Sequence, residues 1–329
     1  MPLKILLVKT TSMGDVVHTL PVVSDILSAH PDAQIDWLVE APFAAIARLH
    51  PGVRRVIPLA WRKWRKALLR RDTWRAMGEL RQALKAEAYD AVIDLQGLLK
   101  SVMWARMARG PLHGYDAASI REPLASRFYA HAHAVARDQQ AVLRSRLLAA
   151  AALGLPAPTA VPRFGVQAHP AEWPGRQAGA RYAVLIPCAS RLAKRWPEAS
   201  WQQVGQRLRA DGLDLVILWG SRDEQALAQS LAGPLQAEVP PFLTVAQAAG
   251  LLGHAEIVVG LDTGFTHLAA AFDVPTLGIY CDHSPGLAGV TGAGFTRSLG
   301  GKGTPPTEQD VLASLELALV SRPHSQARE

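Results

Sequence analysis

The sequence predicts an α/β protein with two open, mostly parallel sheets, and three observations lead to this class. Short apolar runs of strand length alternate with longer segments of helical spacing. The alternation starts again after a Pro- and Gly-rich stretch near the middle of the chain. The length of 329 residues and the hydrophobic content of 49% suit two packed domains. We place these domains at 1–168 and 169–329.

The first predicted unit is a strand at 5–8, a polar turn, and a helix whose apolar residues recur from Val16 to Ile26. Asp15 lies in this turn, at the strand end where ligands of open α/β sheets bind. Ser12 and Asp15 also have the spacing of a helix capping box, so a structural role for Asp15 stays open. Gly14, directly before the acid, favours function because glycine permits an unusual backbone angle or close approach by a ligand.

The remaining predicted elements follow the same alternation. In the first half we predict strands at 34–39, 53–59 and 91–95, and helices at 42–49, 74–88 and 138–154. In the second half we predict strands at 182–186, 213–219, 257–260 and 276–280, and helices at 198–210, after 224, and at 245–252, 266–272 and 307–319. Each half therefore has its own Rossmann-like pattern.

Composition limits the classes of function. A net charge of +7 and a pI near 9.7 indicate an anionic partner. Two distant cysteines, Cys188 and Cys281, provide neither a disulfide framework nor a zinc cluster, and they suit a reducing compartment. Neither a signal peptide nor an apolar stretch of about 18 residues is recognisable, so we expect a cytoplasmic protein.

The segment 61–75 concentrates the positive charge. It holds one acid, Asp72, and seven basic residues: Arg62, Lys63, Arg65, Lys66, Arg70, Arg71 and Arg75. Trp61, Trp64 and Trp74 are interleaved with them. A solvated helix with packed tryptophans, a membrane-surface segment, an anion-binding arm and a nucleic-acid contact all fit this composition. We favour a phosphorylated amphiphile because the segment follows a strand of an enzyme-like fold.

Further candidate residues follow other predicted strands. Asp94, Gln96 and Lys100 come after the strand at 91–95, so they belong to the same sheet edge as Asp15. Each has a structural alternative, such as a turn or capping role for Asp94.

In the second half, Asp262 or Thr263 is expected to cap a helix whose free N–H groups, with Gly264, form a site for a diphosphate. His267 adds a donor on the same turn, and Lys194 adds a mobile positive charge. Two structural alternatives remain open: a helix cap without a ligand at Asp262 or Thr263, and a His267 that only packs in the core.

Glu224 and two weaker candidates, Leu243 and Ser190, complete the expected nucleotide site. Glu224, at the end of a strand, suits ribose hydroxyls, although a solvated helix-start acid fits equally well. Leu243 is assigned to the base and Ser190 to a phosphate.

The motifs of other nucleotide-binding classes are absent from the sequence. Neither GxGxxG after a strand nor GxxxxGK[ST] occurs, which disfavours a dinucleotide oxidoreductase and a P-loop enzyme. A DxD pair is also missing, so we expect no metal and no cofactor. Positive charge and a helix dipole would then neutralise a leaving diphosphate.

Six segments in this order resemble the bacterial lipopolysaccharide heptosyltransferases of glycosyltransferase family 9. They are KTTSMGDVVHTLP (9–21), DWLVE (36–40), YDAVIDLQGLLKS (89–101), REPLAS (121–126), KRWP (194–197) and DTGFTHL (262–268). The resemblance covers nearly the whole chain. It implies the GT-B fold, in which two Rossmann-like domains face a central cleft and the last helix often crosses back to the first domain.

The resemblance also implies an inverting transfer of heptose from ADP-L-glycero-β-D-manno-heptose to the Kdo of Kdo2-lipid A. Asp15 matches the catalytic base, and a second group of residues is assigned to the acceptor: Ser12, Gly14, Arg62, Lys63, Lys66, Gln96, Lys100 and Arg121. The expected protein is a monomer on the cytoplasmic face of the inner membrane that contacts its anionic surface and binds no nucleic acid.

Three alternatives stay open. A heptosyltransferase II would use the same donor with a heptosylated acceptor, but the forms KTTSMGD and REPLAS favour transfer to Kdo. A nucleotide-sugar epimerase would need no large acceptor site, so the segment 61–75 would be dispensable. A basic nucleic-acid-binding protein would bind in a salt-sensitive way and would not need Asp15.

Overall fold

A computed structural model describes residues 2–169, 180–189 and 191–321. The chain divides into two compact units, Met1–Val166 and Gln167–Glu329. The roles assigned above to the two domains remain predictions.

The first unit contains one six-stranded sheet with helices between the strands. The strands are β1 Lys4–Val8, β2 Gln34–Glu40, β3 Val53–Leu59, β4 Ala91–Asp94, β5 Leu112–Tyr115 and β6 His131–His133. The helices are α1 Met13–Val17, α2 Leu20–Ala29, α3 Ala44–Ala47, α4 Trp61–Trp64, α5 Arg71–Lys85, α6 Leu99–Ala105 and α7 Ala141–Leu153. Two 3-10 turns, Ala41–Phe43 and Pro123–Phe128, complete it.

All strands of this sheet pair in parallel in the order β3-β2-β1-β4-β5-β6. The central strand β1 is fully buried from Ile5 to Val8, as expected for a parallel strand covered on both faces. The strand order reverses between β1 and β4. The turns after these two strands therefore flank a topological switch point, where open α/β sheets bind ligands.

The second unit contains a five-stranded parallel sheet. Its strands are β7 Tyr182–Ile186, β8 Asp214–Ile217, β9 Ile257–Leu261, β10 Thr276–Tyr280 and β11 Thr296–Gly300. Its helices are α8 Glu198–Ala210, α9 Arg222–Leu235, α10 Val245–Gly253, α11 Gly264–Ala271, α12 Pro285–Ala288 and α13 Glu308–Val320. The order is β11-β10-β9-β7-β8, so this sheet reverses between β7 and β9. Helix α13 packs on α8, β10 and β11.

The structure corrects several predicted elements. The single helix expected after β1 is two helices, because Pro21, in the first turn of α2, lacks the N–H that a continuous helix would need. The helix expected at 74–88 spans Arg71–Lys85, and the one expected at 42–49 is a 3-10 turn followed by α3. Strands β5, β6 and β11 were not predicted. Each carries Gly, His or exposed polar residues instead of an apolar run.

Candidate active site

The turn after β1 holds Asp15 in a defined orientation. The Asp15 Oδ2 atom accepts hydrogen bonds from the Ser12 backbone N–H at 2.6 Å and from the Ser12 hydroxyl at 2.9 Å. The capping role predicted for this pair is therefore present. The other carboxylate oxygen, Oδ1, accepts no hydrogen bond from the residues that the structure describes. One oxygen of Asp15 therefore fixes the turn, and the second is free of such bonds within the described part of the chain.

Gly14 lies inside α1 and has no left-handed backbone angle, so the expectation of an unusual conformation there is wrong. Only the small size of Gly14 remains as a reason for a glycine beside the acid.

Lys9 is buried beneath this turn. Its Nζ donates a hydrogen bond to the Leu95 carbonyl oxygen at 2.9 Å. Burial lowers the pKa of Lys9, and the charges of Asp15 and Asp94 oppose that change. Burial would in turn raise the pKa of Asp15, but the Lys9 charge and the Ser12 hydrogen bonds outweigh it and hold that pKa below its usual value. Asp15 is consequently an ionised carboxylate at neutral pH.

The turn after β4 supports the turn after β1. The side-chain oxygen of Gln96 accepts hydrogen bonds from the backbone N–H groups of Thr10 at 3.0 Å and Thr11 at 2.9 Å. Lys100 Nζ donates to the Thr11 hydroxyl at 2.8 Å. The structure thus brings Gln96 and Lys100 to the loop that carries Asp15. Burial lowers the pKa of Lys100, and the nearby Arg62 charge adds to this effect.

Asp94 is buried and is the central hydrogen-bond acceptor of the turn after β4. It accepts hydrogen bonds from the hydroxyls of Ser101 at 2.8 Å and Tyr129 at 2.9 Å, and from the backbone N–H groups of Gln96 and Gly97. Burial raises its pKa against these hydrogen bonds. The turn role considered for Asp94 is therefore present in the structure.

The remaining acceptor candidates are surface cations of the first unit. Arg62 lies on α4, where its backbone N–H donates to Glu40 and its guanidinium lies over the Phe43 ring at 5.4 Å. Lys63, Lys66 and Arg121 are exposed. The structure leaves these side chains accessible to an anionic ligand.

In the second unit, Asp262 binds two cationic or potentially cationic side chains. Lys194 Nζ lies 2.6 Å from Asp262 Oδ2 and 2.9 Å from its carbonyl oxygen. His267 Nε2 lies 3.3 Å from Asp262 Oδ1. Burial would raise the pKa of Asp262, but the hydrogen bonds and charges of His267 and Lys194 hold it well below its usual range. Lys194 is thus paired with Asp262 in the structure, and its role as a mobile positive charge for a diphosphate stays a prediction.

The cluster lies at the second switch point. Lys194 ends a 3-10 turn that follows β7, and Asp262 follows β9 directly. Thr263 is the N-cap position of α11, although its side chain makes no capping hydrogen bond, and Gly264 is the first helical residue. The N–H groups of the first helical turn have no intrahelical acceptors, so this end of α11 can bind an anion.

The other donor candidates are placed differently. Glu224 lies in the first turn of α9 and not at a strand end, and its Oε2 accepts the Gly220 N–H at 2.8 Å. Leu243 is buried just before α10. Ser190 lies outside the described residues.

Lys9 is the residue that the sequence analysis missed. The sequence feature that could have identified it is its position: Lys9 follows directly after an apolar strand, at the carboxyl end of that strand. As for metals, the described residues contain no group of three or more His, Cys, Asp or Glu side chains placed to hold an ion.

Comparisons with known proteins identify the family of this chain. The family model of glycosyltransferase family 9 (heptosyltransferase) matches residues 77–305. Lipopolysaccharide heptosyltransferase 1 of Pseudomonas aeruginosa is 44% identical over 295 residues, which are 88% of this chain and 82% of the relative. The structure is also similar to E. coli heptosyltransferase WaaC with ADP, with a TM-score of 0.87 and 37% identity over 96% of this chain and 100% of that one.

A second WaaC structure, with ADP-2-deoxy-2-fluoro heptose, has a TM-score of 0.84 and 36% identity over 96% of this chain and 99% of that one. The protein is therefore a glycosyltransferase. More particularly, the chain belongs to glycosyltransferase family 9, the heptosyltransferases. These findings confirm the predicted family, the predicted enzyme class and the predicted GT-B class of fold.

Proposed function

We propose that this protein transfers heptose from ADP-L-glycero-β-D-manno-heptose to the Kdo of Kdo2-lipid A, with inversion, in lipopolysaccharide inner-core biosynthesis. The P. aeruginosa relative at 44% identity is a lipopolysaccharide heptosyltransferase 1. The similar WaaC structures contain ADP and a fluorinated ADP-heptose. These relatives favour transfer to Kdo over transfer to a heptosylated core.

The observation that carries the mechanism is the open Oδ1 atom of Asp15. An ionised carboxylate at a switch point, with one oxygen fixed and one available, suits a base that accepts the proton of an acceptor hydroxyl. The acceptor oxygen then forms a bond to C1 of the heptose while the bond between C1 and the ADP oxygen breaks. Asp15 keeps the proton, and ADP leaves with the bonding electron pair.

The low pKa of Asp15 makes it a weak base before the reaction starts. We therefore infer that proton transfer is late, after the bond from C1 to the ADP oxygen has begun to break. At that stage the attacking hydroxyl is strongly acidic, and a carboxylate is basic enough to accept its proton.

Lys194, His267 and the first turn of α11 are assigned to the leaving diphosphate. Developing negative charge on ADP is stabilised by donors that are already in position, and Asp262 holds two of these side chains. In this assignment the first unit activates the acceptor and the second unit takes the leaving group. We propose that no metal ion takes part.

The acceptor carries phosphates and carboxylates, which suits the exposed cations Arg62, Lys63, Lys66 and Arg121. No helix in the described part of the chain is long and apolar enough to cross a membrane. We propose that the enzyme is a monomer that works at the cytoplasmic face of the inner membrane, through contact with its anionic surface.

The direct test is product formation from ADP-heptose and Kdo2-lipid A in the presence of EDTA. The proposal predicts one heptose per acceptor, with an inverted anomeric centre by NMR, at a rate that added Mg²⁺ leaves unchanged. Turnover only with a heptosylated acceptor would assign the protein to heptosyltransferase II. Conversion of the donor without any acceptor would indicate an epimerase.

A further inference from the structure

Two exposed leucines of the first unit lie on a turn within the basic segment 61–75. The Arg70 N–H donates to the Ala67 carbonyl oxygen at 3.1 Å, so Leu68 and Leu69 are the two central residues of a turn. We call 67–70 the leucine turn. Leu69 is fully exposed and Leu68 is 42% exposed. Such positions usually carry polar residues or glycine.

The leucine turn is held in place from both sides. Before it, Trp64 is buried, and its ring and that of Trp61 pack on Trp104 of α6 at 5.6 and 5.9 Å. After it, the Trp74 Nε1 atom donates to the Leu68 carbonyl oxygen at 2.7 Å. The two leucines therefore project from a supported turn. Trp74 is itself 60% exposed.

The charge around the turn is predominantly positive. All seven basic side chains of the segment are exposed, and its single acid, Asp72, lies 3.6 Å from Arg70 and 3.8 Å from Arg75. An apolar tip surrounded by cations, with a tryptophan beside it, matches the layers of an anionic bilayer. Leucines enter the acyl region, tryptophan suits the interface, and arginine and lysine contact lipid phosphates.

We propose that the leucine turn inserts into the surface of an anionic phospholipid bilayer and anchors the enzyme there. The inference rests on the proposed function in one respect, namely that the acceptor is a membrane lipid. Nucleic acid is the weaker alternative, because it would use the cations and Trp74 but would leave two exposed leucines without a partner. A role limited to binding the acceptor headgroup would leave the same leucines unexplained.

The first measurement is cosedimentation with vesicles of phosphatidylglycerol and phosphatidylethanolamine that contain no acceptor. The double variant Leu68→Ser/Leu69→Ser should bind at least about tenfold more weakly than the wild type, because each leucine loses its transfer into an apolar phase. Binding should also fall when phosphatidylcholine replaces the anionic lipid. Leu317→Ser is the matched control, since Leu317 on α13 is 53% exposed and follows the acid Glu316.

A second measurement reports insertion itself. Both native cysteines are buried, so a polarity-sensitive fluorophore can be attached selectively at Leu69→Cys. Its emission should shift to the blue on anionic vesicles, whereas the same label at Leu317→Cys should not shift. Unchanged emission at position 69, or wild-type vesicle binding by the double serine variant, would overturn the proposal. RNA binding that replaces vesicle binding and does not depend on the leucines would overturn it as well.

Activity separates anchoring from catalysis. The double serine variant should turn over a deacylated, water-soluble acceptor at a rate within about twofold of the wild type, and an acceptor in vesicles more slowly. Equal losses on both acceptors would assign the turn to the catalytic unit and contradict a membrane anchor. If the wild type transfers no heptose to any acceptor, the proposed function is wrong. The vesicle-binding and fluorescence measurements still test membrane anchoring in that case, because they do not depend on activity.

Discussion

The two switch points of this protein use the same pair of residue types in different ways. At the first, Lys9 is buried, binds a backbone carbonyl, and acts on Asp15 through its charge. At the second, Lys194 makes a direct ion pair with Asp262, whose other oxygen contacts His267. Among the described residues, only one oxygen of Asp15 accepts hydrogen bonds, whereas both oxygens of Asp262 are engaged. The difference supports the proposed division of roles, in which Asp15 reacts with the acceptor and Asp262 positions the side chains that bind the diphosphate.

The largest expected effect comes from Asp15→Asn. This change removes the proposed base and should lower kcat by about 10²–10⁴-fold, measured as heptose transfer at saturating donor. Ser12→Ala is the control, because it removes only the hydroxyl that binds Oδ2 and should cost far less. A rate for Asp15→Asn within a few fold of the wild type would leave Asp15 as a helix cap only.

Lys194→Ala should have the next largest effect. Removing one preorganised cation from the leaving diphosphate should lower kcat/KM by roughly 10²-fold, and it should also weaken the binding of ADP. Arg207→Ala is a matched control in the same unit, since Arg207 also binds an acid, Glu316, on the surface. Equal losses from both variants would show that Lys194 acts through folding alone.

Lys9→Met should change the pH dependence of turnover. The Lys9 charge lowers the pKa of Asp15, so its removal should raise that pKa and move the acidic limb of the kcat profile to higher pH. Activity would then be lost earlier as the pH falls. Lys4→Met, at the opposite end of β1, removes a partly exposed ion pair with Glu87 and should leave the limb in place. A limb that does not move in Lys9→Met would contradict the coupling of Lys9 to Asp15.

The smallest expected effects concern the free energy of unfolding. Ser101→Ala removes a hydrogen bond to the buried Asp94 carboxylate and should cost about 1.5–3 kcal/mol. Thr266→Val removes a hydrogen bond to the neutral Leu261 carbonyl oxygen and should cost about 1 kcal/mol. Urea denaturation compares the two. If Thr266→Val costs more than Ser101→Ala, the turn after β4 depends less on the buried Asp94 carboxylate than its hydrogen bonds indicate.

Sequence reasoning could predict those parts of the fold that depend on apolar periodicity. Strands β1, β7 and β10 are mainly apolar runs, so their placement from the sequence is close to the structure. Edge strands such as β6 lack that signal because one face and one edge meet solvent. Their pairing is decided by neighbours that the local sequence does not reveal.

The same distinction applies to the candidate site, where positions along the chain could be predicted and contacts between distant residues could not. The positions of Asp15, Lys194 and Asp262 at strand ends follow from the order of elements and needed no structure. The ion pair between Lys194 and Asp262 joins residues 68 apart in sequence, and the contact of Lys100 with Thr11 joins residues 89 apart. Only the folded sheets bring these together. For that reason the sequence analysis overlooked Lys9 and did not predict the ion pair of Lys194 with Asp262.

The most direct test of the difference between the two switch points is calorimetric titration of ADP into three proteins: the wild type, Asp15→Asn and Asp262→Asn. We predict that Asp15→Asn binds ADP with wild-type affinity, because Asp15 serves the acceptor. Asp262→Asn should bind ADP several-fold more weakly, because Lys194 and His267 lose the carboxylate that positions them. An Asp15→Asn variant that loses ADP affinity as strongly as Asp262→Asn would contradict the division of roles between the two aspartates.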